Sequence, residues 1–144
     1  MTEADGRLVM TRRFAASPER VFDAWTREAL ANRWLFTGPE SESHTTRLDV
    51  RVGGAWEIID RRGGVDYRAI GEYVEVERPS RLVFTFGMPQ FDPGFSRVTV
   101  EIAADGAGAR MTLIHEILPP DSIPPLEDGW DKMFEFGLAP LLAA

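Results

Sequence analysis

His115 is the residue of this sequence whose position best suits acid–base chemistry. Apolar and polar residues alternate across Ala109–Leu118, which predicts a strand with His115 on its apolar face. A histidine that points into an apolar interior could hydrogen-bond a ligand or act as a general base. A general base needs an orienting partner, for which Tyr67 and Tyr73 are the candidates. The alternative is a histidine near a strand end that bonds a backbone group.

The sequence lacks the patterns of the common metal, cofactor and nucleophile sites. It has no cysteine, which excludes disulfide bonds, thiolate metal ligands and thiol nucleophiles. The second histidine, His44, falls in a predicted exposed loop, Glu40–His44, so the two histidines form no recognisable metal site. No calcium loop, phosphate-binding glycine loop or serine nucleophile elbow occurs. We therefore expect no metal and no cofactor, and binding rather than catalysis.

Composition limits the class of protein and its partners. A chain of 144 residues with 44 % hydrophobic residues predicts one domain, residues 1–144, with residues 1–6 as a loose tail. The net charge of −7 argues against a nucleic-acid partner. No apolar run approaches the ~20 residues that span a bilayer, and the N-terminus lacks a signal-peptide pattern. We expect a cytoplasmic protein with no membrane partner.

Alternating runs separated by glycine and proline predict a series of strands. Arg7–Phe14 is the first, and two short helices follow, one capped by Ser17 with Pro18 in its first turn and one after Thr26. Met88–Phe95 contains two prolines and is predicted as a loop that could cover a cavity. The remaining strands are predicted at Thr45–Val52, Ala55–Arg61, Tyr67–Glu77, Arg81–Gly87, Ser96–Ala103 and Ala109–Leu118.

Glu127–Leu142 is the one segment long and periodic enough to form a helix across a core. Trp130, Met133 and Phe134 belong to its apolar stripe. Pro140 should kink or end this helix, because proline lacks an N–H and clashes with the preceding turn. Strands and helices are segregated along the chain, which predicts an α+β fold with a curved antiparallel sheet around this helix. Four prolines predict a stiff connection ahead of it: Pro119, Pro120, Pro124 and Pro125.

A sheet that curves around a helix often leaves a cavity, and the inward-facing residues are its candidate lining. Such a set suits an apolar ligand that a few polar groups orient. The alternative is that these residues simply fill the core. The candidate ligand-binding residues are Trp34, Trp56, Ile58, Tyr67, Phe84, Phe86, Met111, Leu113, His115, Trp130, Met133 and Phe134.

Two further features concern the surface. Asp49 and Arg51 lie two residues apart on one strand face, as a surface ion pair of little energetic value or as part of a partner-docking face. Val83 and Ile114 are predicted as exposed apolar residues, either ordinary surface or a dimer face. The sequence leaves open whether the protein is a monomer or a homodimer.

Several short motifs, in this order, resemble a known family. They are Arg13–Thr26 with Trp34, Asp49–Trp56, Gly71–Tyr73, Glu77–Phe84 and Gly129–Trp130. Together they resemble the START-like (SRPBCC) superfamily, and within it the branch similar to the C-terminal domain of the activator of the heat-shock protein 90 ATPase. The resemblance runs from about residue 8 to residue 142. It implies a helix-grip fold, β-α-α-β5/6-α, with a deep and mostly apolar cavity.

The resemblance implies three possible functions. Relatives bind lipids, sterols, polyketides and other hydrophobic molecules, which implies non-catalytic binding of a small hydrophobic ligand between sheet and helix. A minority catalyse cyclisation or hydrolysis, which implies an enzyme that acts on an aromatic or polyketide-like substrate with His115. The chaperone-activator branch implies regulation of a chaperone ATPase through protein contact. Family resemblance does not choose among them.

Overall fold

The computed structural model describes residues 6–91 and 94–143, which contain one seven-stranded antiparallel sheet. The sheet is curved, and its order is β1-β7-β6-β5-β4-β3-β2. Consecutive strands from β2 to β7 are neighbours, as predicted for a meander, and β1 pairs with β7. The strands are β1 Leu8–Phe14, β2 Ser43–Leu48, β3 Ala55–Arg62, β4 Val65–Glu77, β5 Arg81–Phe86, β6 Ser96–Asp105 and β7 Gly108–Glu116.

Two short helices, α1 (Pro18–Thr26) and α2 (Glu28–Ala31), connect β1 to β2. The predicted cap of α1 is confirmed: the Ser17 hydroxyl accepts from the backbone N–H of Arg20 at 3.2 Å. The second cap was predicted at Thr26, and this is wrong. The Thr26 hydroxyl donates back to the carbonyl of Phe22 at 3.0 Å, so it completes α1 instead of starting α2.

The turn after β2 is wider than the sequence predicted. The strand expected to reach Val52 ends at Leu48, and Val52 is 69 % exposed. A backbone bond from the N–H of Gly54 to the carbonyl of Arg51, 2.8 Å, closes the turn. Asp49 and Arg51 form the predicted surface ion pair at 3.0 Å, within this turn. Gly6, the last residue of the predicted loose tail, is buried, and its carbonyl accepts from the N–H of Leu118 at 3.0 Å. Residues 1–5 of that tail lie outside the described part.

Gly71 lies within the long strand β4, where a bulge or bend was predicted, and its main role is close approach. A Cβ on Gly71 would lie 1.8 Å from the carbonyl oxygen of Thr85 and 2.5 Å from Nε1 of Trp56. Without that carbon, the Trp56 indole donates to the Thr85 carbonyl at 3.0 Å. The register shift itself falls two residues later, between Tyr73 and Glu75.

The C-terminal helical segment begins earlier than predicted, and Pro140 does not end it. Helix α3 spans Ile123–Met133, a π-helical turn spans Phe134–Leu138, and α4 spans Ala139–Ala143. In the π turn the N–H of Ala139 bonds the carbonyl of Phe134, five residues back. Because proline has no N–H and needs room against the preceding turn, the wider turn accommodates Pro140 while the helix continues.

The four prolines predicted to form a stiff connection ahead of this segment do not all lie in a connection. Pro124 and Pro125 belong to the first turn of α3, where backbone N–H groups have no partner within the helix and proline costs little. Pro119 and Pro120 precede and open a short 3₁₀ turn, Pro120–Ser122. Among the described residues, no helix combines the length and the apolar character needed to cross a membrane.

The core lies between the helices and one face of the sheet. Trp25, Trp34, Trp130 and Phe134 are each at most 1 % exposed, and the rings of Trp25 and Trp34 meet edge to face at 4.8 Å. The prediction that Val83 is exposed is wrong. It points to the opposite face of the sheet and is nevertheless fully buried, because its neighbours across the sheet cover its short side chain. Ile114 on the same face is half-buried.

Candidate functional site

A cavity of about 870 Å³ lies between β3, β4, the segment after α2 and the C-terminal helix. This volume falls in the range of small-molecule sites. Its apolar lining includes Trp34, Phe36, Ile58, Ala69, Met88, Met133, Phe136 and Gly137. Its polar lining includes Arg33, Thr37, Glu40, Asp60, Arg62, Tyr67 and Lys132. Most of the surface that faces the cavity is apolar, and charged residues are among the lining groups.

The structure divides the twelve candidate residues between this cavity and the core. Four of them line the cavity: Trp34, Ile58, Tyr67 and Met133. Trp56 and Phe84 border a separate void of only about 10 Å³. The other six line neither space and pack within or against the core: Phe86, Met111, Leu113, His115, Trp130 and Phe134. The loop predicted at Met88–Phe95 contributes Met88 to the lining; its residues 92–93 lie outside the described part.

Phe36 is a lining residue that the sequence did not indicate. Its φ of 55° places it in the left-handed region, which is costly for an aromatic residue. Its ring stacks on Phe86 at 5.2 Å and on Trp56 at 5.8 Å, and its N–H meets the sulfur of Met133 at 3.0 Å. Phe36 follows α2 outside any periodic segment, so strand or helix periodicity gave no signal for it.

Asp60 and Arg62 form the charged part of the cavity wall. Asp60 is 2 % exposed, and one of its oxygens lies 2.8 Å from Nε of Arg62. The guanidinium carbon of Arg62 lies 4.2 Å from the centre of the Tyr67 ring. Asp60 and Arg62 lie on the same face of β3 as Trp56 and Ile58, since these four residues occupy every second position of the strand. The alternation used for those two residues could therefore have indicated both charged residues.

His44 corrects a prediction, because it is enclosed by the protein rather than exposed in a loop. It lies in β2 with its side chain 8 % exposed. Its Nδ1 is 3.0 Å from a carboxylate oxygen of Asp60, and its Nε2 donates to the carbonyl of Leu35 at 3.1 Å. His44 thus ties the segment after α2 to β3. Among the described residues, no group of three or more histidine and acidic side chains could hold a metal ion.

His115 is fully buried in the core, and both of its nitrogens are engaged. Nδ1 accepts from the indole N–H of Trp130 at 3.1 Å, so the ring proton is on Nε2, which donates to the Ser96 hydroxyl at 2.7 Å. Burial lowers the pKa of His115 to about 4. Its partners are Ser96 and Trp130 rather than a tyrosine. A histidine in this state has no free lone pair for a substrate proton.

A curved antiparallel sheet that grips a C-terminal helix, with a cavity between them, defines the helix-grip class of proteins. The family model described as Activator of Hsp90 ATPase homolog 1-like protein matches residues 15–143. The chain belongs to this family. Among curated proteins, none matches the sequence.

Solved structures share the fold over most of its length. Protein CV1439 from Chromobacterium violaceum is 27 % identical, with 96 % of this chain and 97 % of that chain covered and a TM-score of 0.81. CalU16 from Micromonospora echinospora is 21 % identical, with 94 % and 75 % covered and a TM-score of 0.71. PFC0360w, an HSP90 activator from Plasmodium falciparum, is 22 % identical, with 78 % and 74 % covered and a TM-score of 0.63. The last two similarities concern the fold alone.

Proposed function

We propose that this protein binds a small, largely apolar molecule in the cavity between β3, β4 and the C-terminal helix, without transforming it. The observation that carries the proposal is the cavity itself, about 870 Å³ with a mostly apolar wall. The space opens to solvent beside the exposed Phe136, and its size and apolar wall match those of small-molecule binding sites.

The position of His115 supports binding over catalysis. This histidine is outside the cavity lining, and the indole of Trp130 occupies its accepting nitrogen. The enzyme hypothesis required His115 and a tyrosine to converge in the cavity. Tyr67 lines the cavity, but its ring contacts are with Arg62 and Phe91 rather than with a base. The same geometry leaves the Ser96 hydroxyl without a base to activate it, because His115 donates to it.

The test is non-denaturing mass spectrometry of the purified protein, followed by a denaturing run. We expect an added small mass that disappears on denaturation. Ala69 is 3 % exposed and lines the cavity, so Ala69→Leu should occupy part of the space and reduce that added mass. Arg68→Leu is the matched control, because Arg68 is exposed and pairs with Glu57 instead.

Two results would contradict the proposal. One is an unmodified mass together with no change in tryptophan fluorescence when aromatic and aliphatic probe molecules are added. The other is an added mass that Ala69→Leu and Arg68→Leu reduce equally, since a bound molecule outside the cavity would not distinguish these positions.

Contact with a chaperone ATPase is the second candidate, and the description of the matched family favours it. Such a contact would use the surface rather than the cavity. The ATPase rate of a heat-shock protein 90 homologue, measured with and without this protein, tests it directly. An increase that Ala69→Leu leaves unchanged would support the surface role, and an unchanged rate would remove this candidate.

A further inference from the structure

We infer that the cavity selects ligands that carry a carboxylate, and that Arg62 binds this group. The inference rests on the proposed function and adds the chemical class of the ligand. It starts from the guanidinium of Arg62, which lines the cavity beside Tyr67 and Asp60. A purely apolar ligand would not require a charged group in this lining.

The guanidinium is held by two contacts that leave one edge available. Its Nε lies 2.8 Å from Oδ2 of Asp60, and its face lies over the Tyr67 ring at 4.2 Å. Its two terminal nitrogens have no hydrogen-bond partner among the described residues. A planar guanidinium edge matches a carboxylate through two parallel N–H···O bonds. An arginine fixed in this way needs little further ordering when an anion binds.

Asp60 argues against a cationic ligand at the same place. One carboxylate oxygen already contacts His44 at 3.0 Å. The other, Oδ2, faces Arg62 and is closed to solvent, and neither it nor Nε of Arg62 has an aligned hydrogen-bond partner among the described residues. Asp60 is therefore an anchor that holds Arg62 in position, and its negative charge is not presented to a bound molecule.

Arg33 is a second cation of the cavity lining that can attract an anion. The lining contains three cations and two anions, in a chain whose net charge is −7: Arg33, Arg62, Lys132, Glu40 and Asp60. Lys132 pairs with Asp128 at 3.0 Å, and Arg33 has no ion-pair partner among the described residues. Asp128 thus balances Lys132, and Arg33 is the lining cation that can add to the attraction of Arg62 for an anion.

The experiment compares acids with their uncharged amides. Anthracene-2-carboxylate, dodecanoate and the corresponding primary amides are titrated at pH 7 against the full chain, by calorimetry and tryptophan fluorescence. We expect an acid to bind at least about tenfold more tightly than its amide, because its charge-assisted bonds are the stronger ones. Arg62→Met should remove this preference while apolar binding remains. Arg62→Lys should retain part of it, since lysine keeps the charge without the planar edge.

Arg61→Met is the matched control, because Arg61 is the next residue of β3 and pairs with Asp66 at 3.0 Å away from the cavity. It should keep the full preference. Equal binding of acid and amide to the wild type would overturn the inference and leave the proposed function standing. A preference that Arg62→Met and Arg62→Lys both leave intact would also overturn it. Binding of none of the four probes would contradict the proposed function and the inference together.

Discussion

Two enclosed histidines in this protein meet opposite surroundings. His115 is bonded to a hydroxyl and an indole, and those partners fix it as a neutral ring with one defined tautomer. His44 faces a carboxylate of Asp60 and a backbone carbonyl, so both of its nitrogens meet oxygen acceptors. The first arrangement stabilises the core, whereas the second joins two segments of the cavity wall. At the residue scale, His44 therefore supports the cavity wall through Asp60, whereas His115 belongs to the core.

The stability of the folded protein should fall with acid because of His115. Its pKa is about 4 in the folded state and about 6.5 when unfolded. Above pH 6.5 the ring is neutral in both states and the free energy of unfolding is unaffected. Between pH 6.5 and 4 only the unfolded chain gains a proton there, so stability is lost, by about 3 kcal/mol at pH 4.

Urea unfolding of the wild type and of His115→Gln, from pH 7.5 to pH 4, measures this effect. Glutamine can keep hydrogen bonds but does not titrate. The difference between the two free energies of unfolding should therefore shift by up to about 3 kcal/mol across the range, in the direction that favours the variant at low pH. A difference that stays constant with pH would show that His115 is not buried in its neutral form.

At the scale of elements, the C-terminal helical segment carries two glycines in contrasting positions. Gly129 lies inside α3, and a Cβ there would meet nothing within 4 Å. Gly137 lies in the π-helical turn, and a Cβ there would lie 2.8 Å from Cβ of Trp34. Gly137 lets the helix approach the segment after α2, whereas no neighbouring atom requires a glycine at Gly129.

Substitution of these glycines by alanine should therefore change stability in opposite directions. Gly129→Ala should stabilise the protein by about 0.5–1 kcal/mol, because alanine loses less backbone entropy in a helix. Gly137→Ala should destabilise it by about 1–3 kcal/mol, because Trp34 must shift. Thermal unfolding of both variants under one condition is the measurement. A stabilising Gly137→Ala would show that the helix is packed less closely against Trp34 than described.

Local sequence patterns predicted the elements better than the cavity. Alternation placed most strands within two residues of their observed limits, and Ser17 with Pro18 marked the start of α1, because these signals act between near neighbours in the chain. His44 was assigned to an exposed loop because its partner, Asp60, is brought to it by the pairing of β2 with β3. Val83 was misjudged for the same reason: strands on both sides cover it.

At the scale of the whole molecule, the family follows from the order of its motifs, but the boundary between core and cavity does not. Trp130 and Met133 lie on one stripe of the same helix. Trp130 is closed into the core with His115, while Met133 lines the cavity. Their side chains are equally apolar, so composition and spacing could not separate them. Which side chains face empty space depends on where the sheet curves away from the helix.

Phe36 offers a prediction at this scale, because its ring borders both the large cavity and the small void beside Trp56. Phe36→Gly removes the ring and suits the left-handed backbone at this position. We expect the variant to bind longer saturated carboxylic acids than the wild type, in a titration of acids of increasing chain length. Phe136→Ala is the control, since that 76 % exposed ring borders the large cavity alone. Identical length limits in all three proteins would contradict the prediction.

Phe36, held in a left-handed backbone, and strand β3 would thus contact different ends of one ligand. The charged end of a ligand would be fixed by strand β3, where every residue is held by the sheet. The length of its apolar end would be limited by a single ring on an irregular segment. On this proposal, a change at Phe36 alone would alter the size of the molecule that the cavity accepts, with the sheet, the helix and the polar anchor all kept.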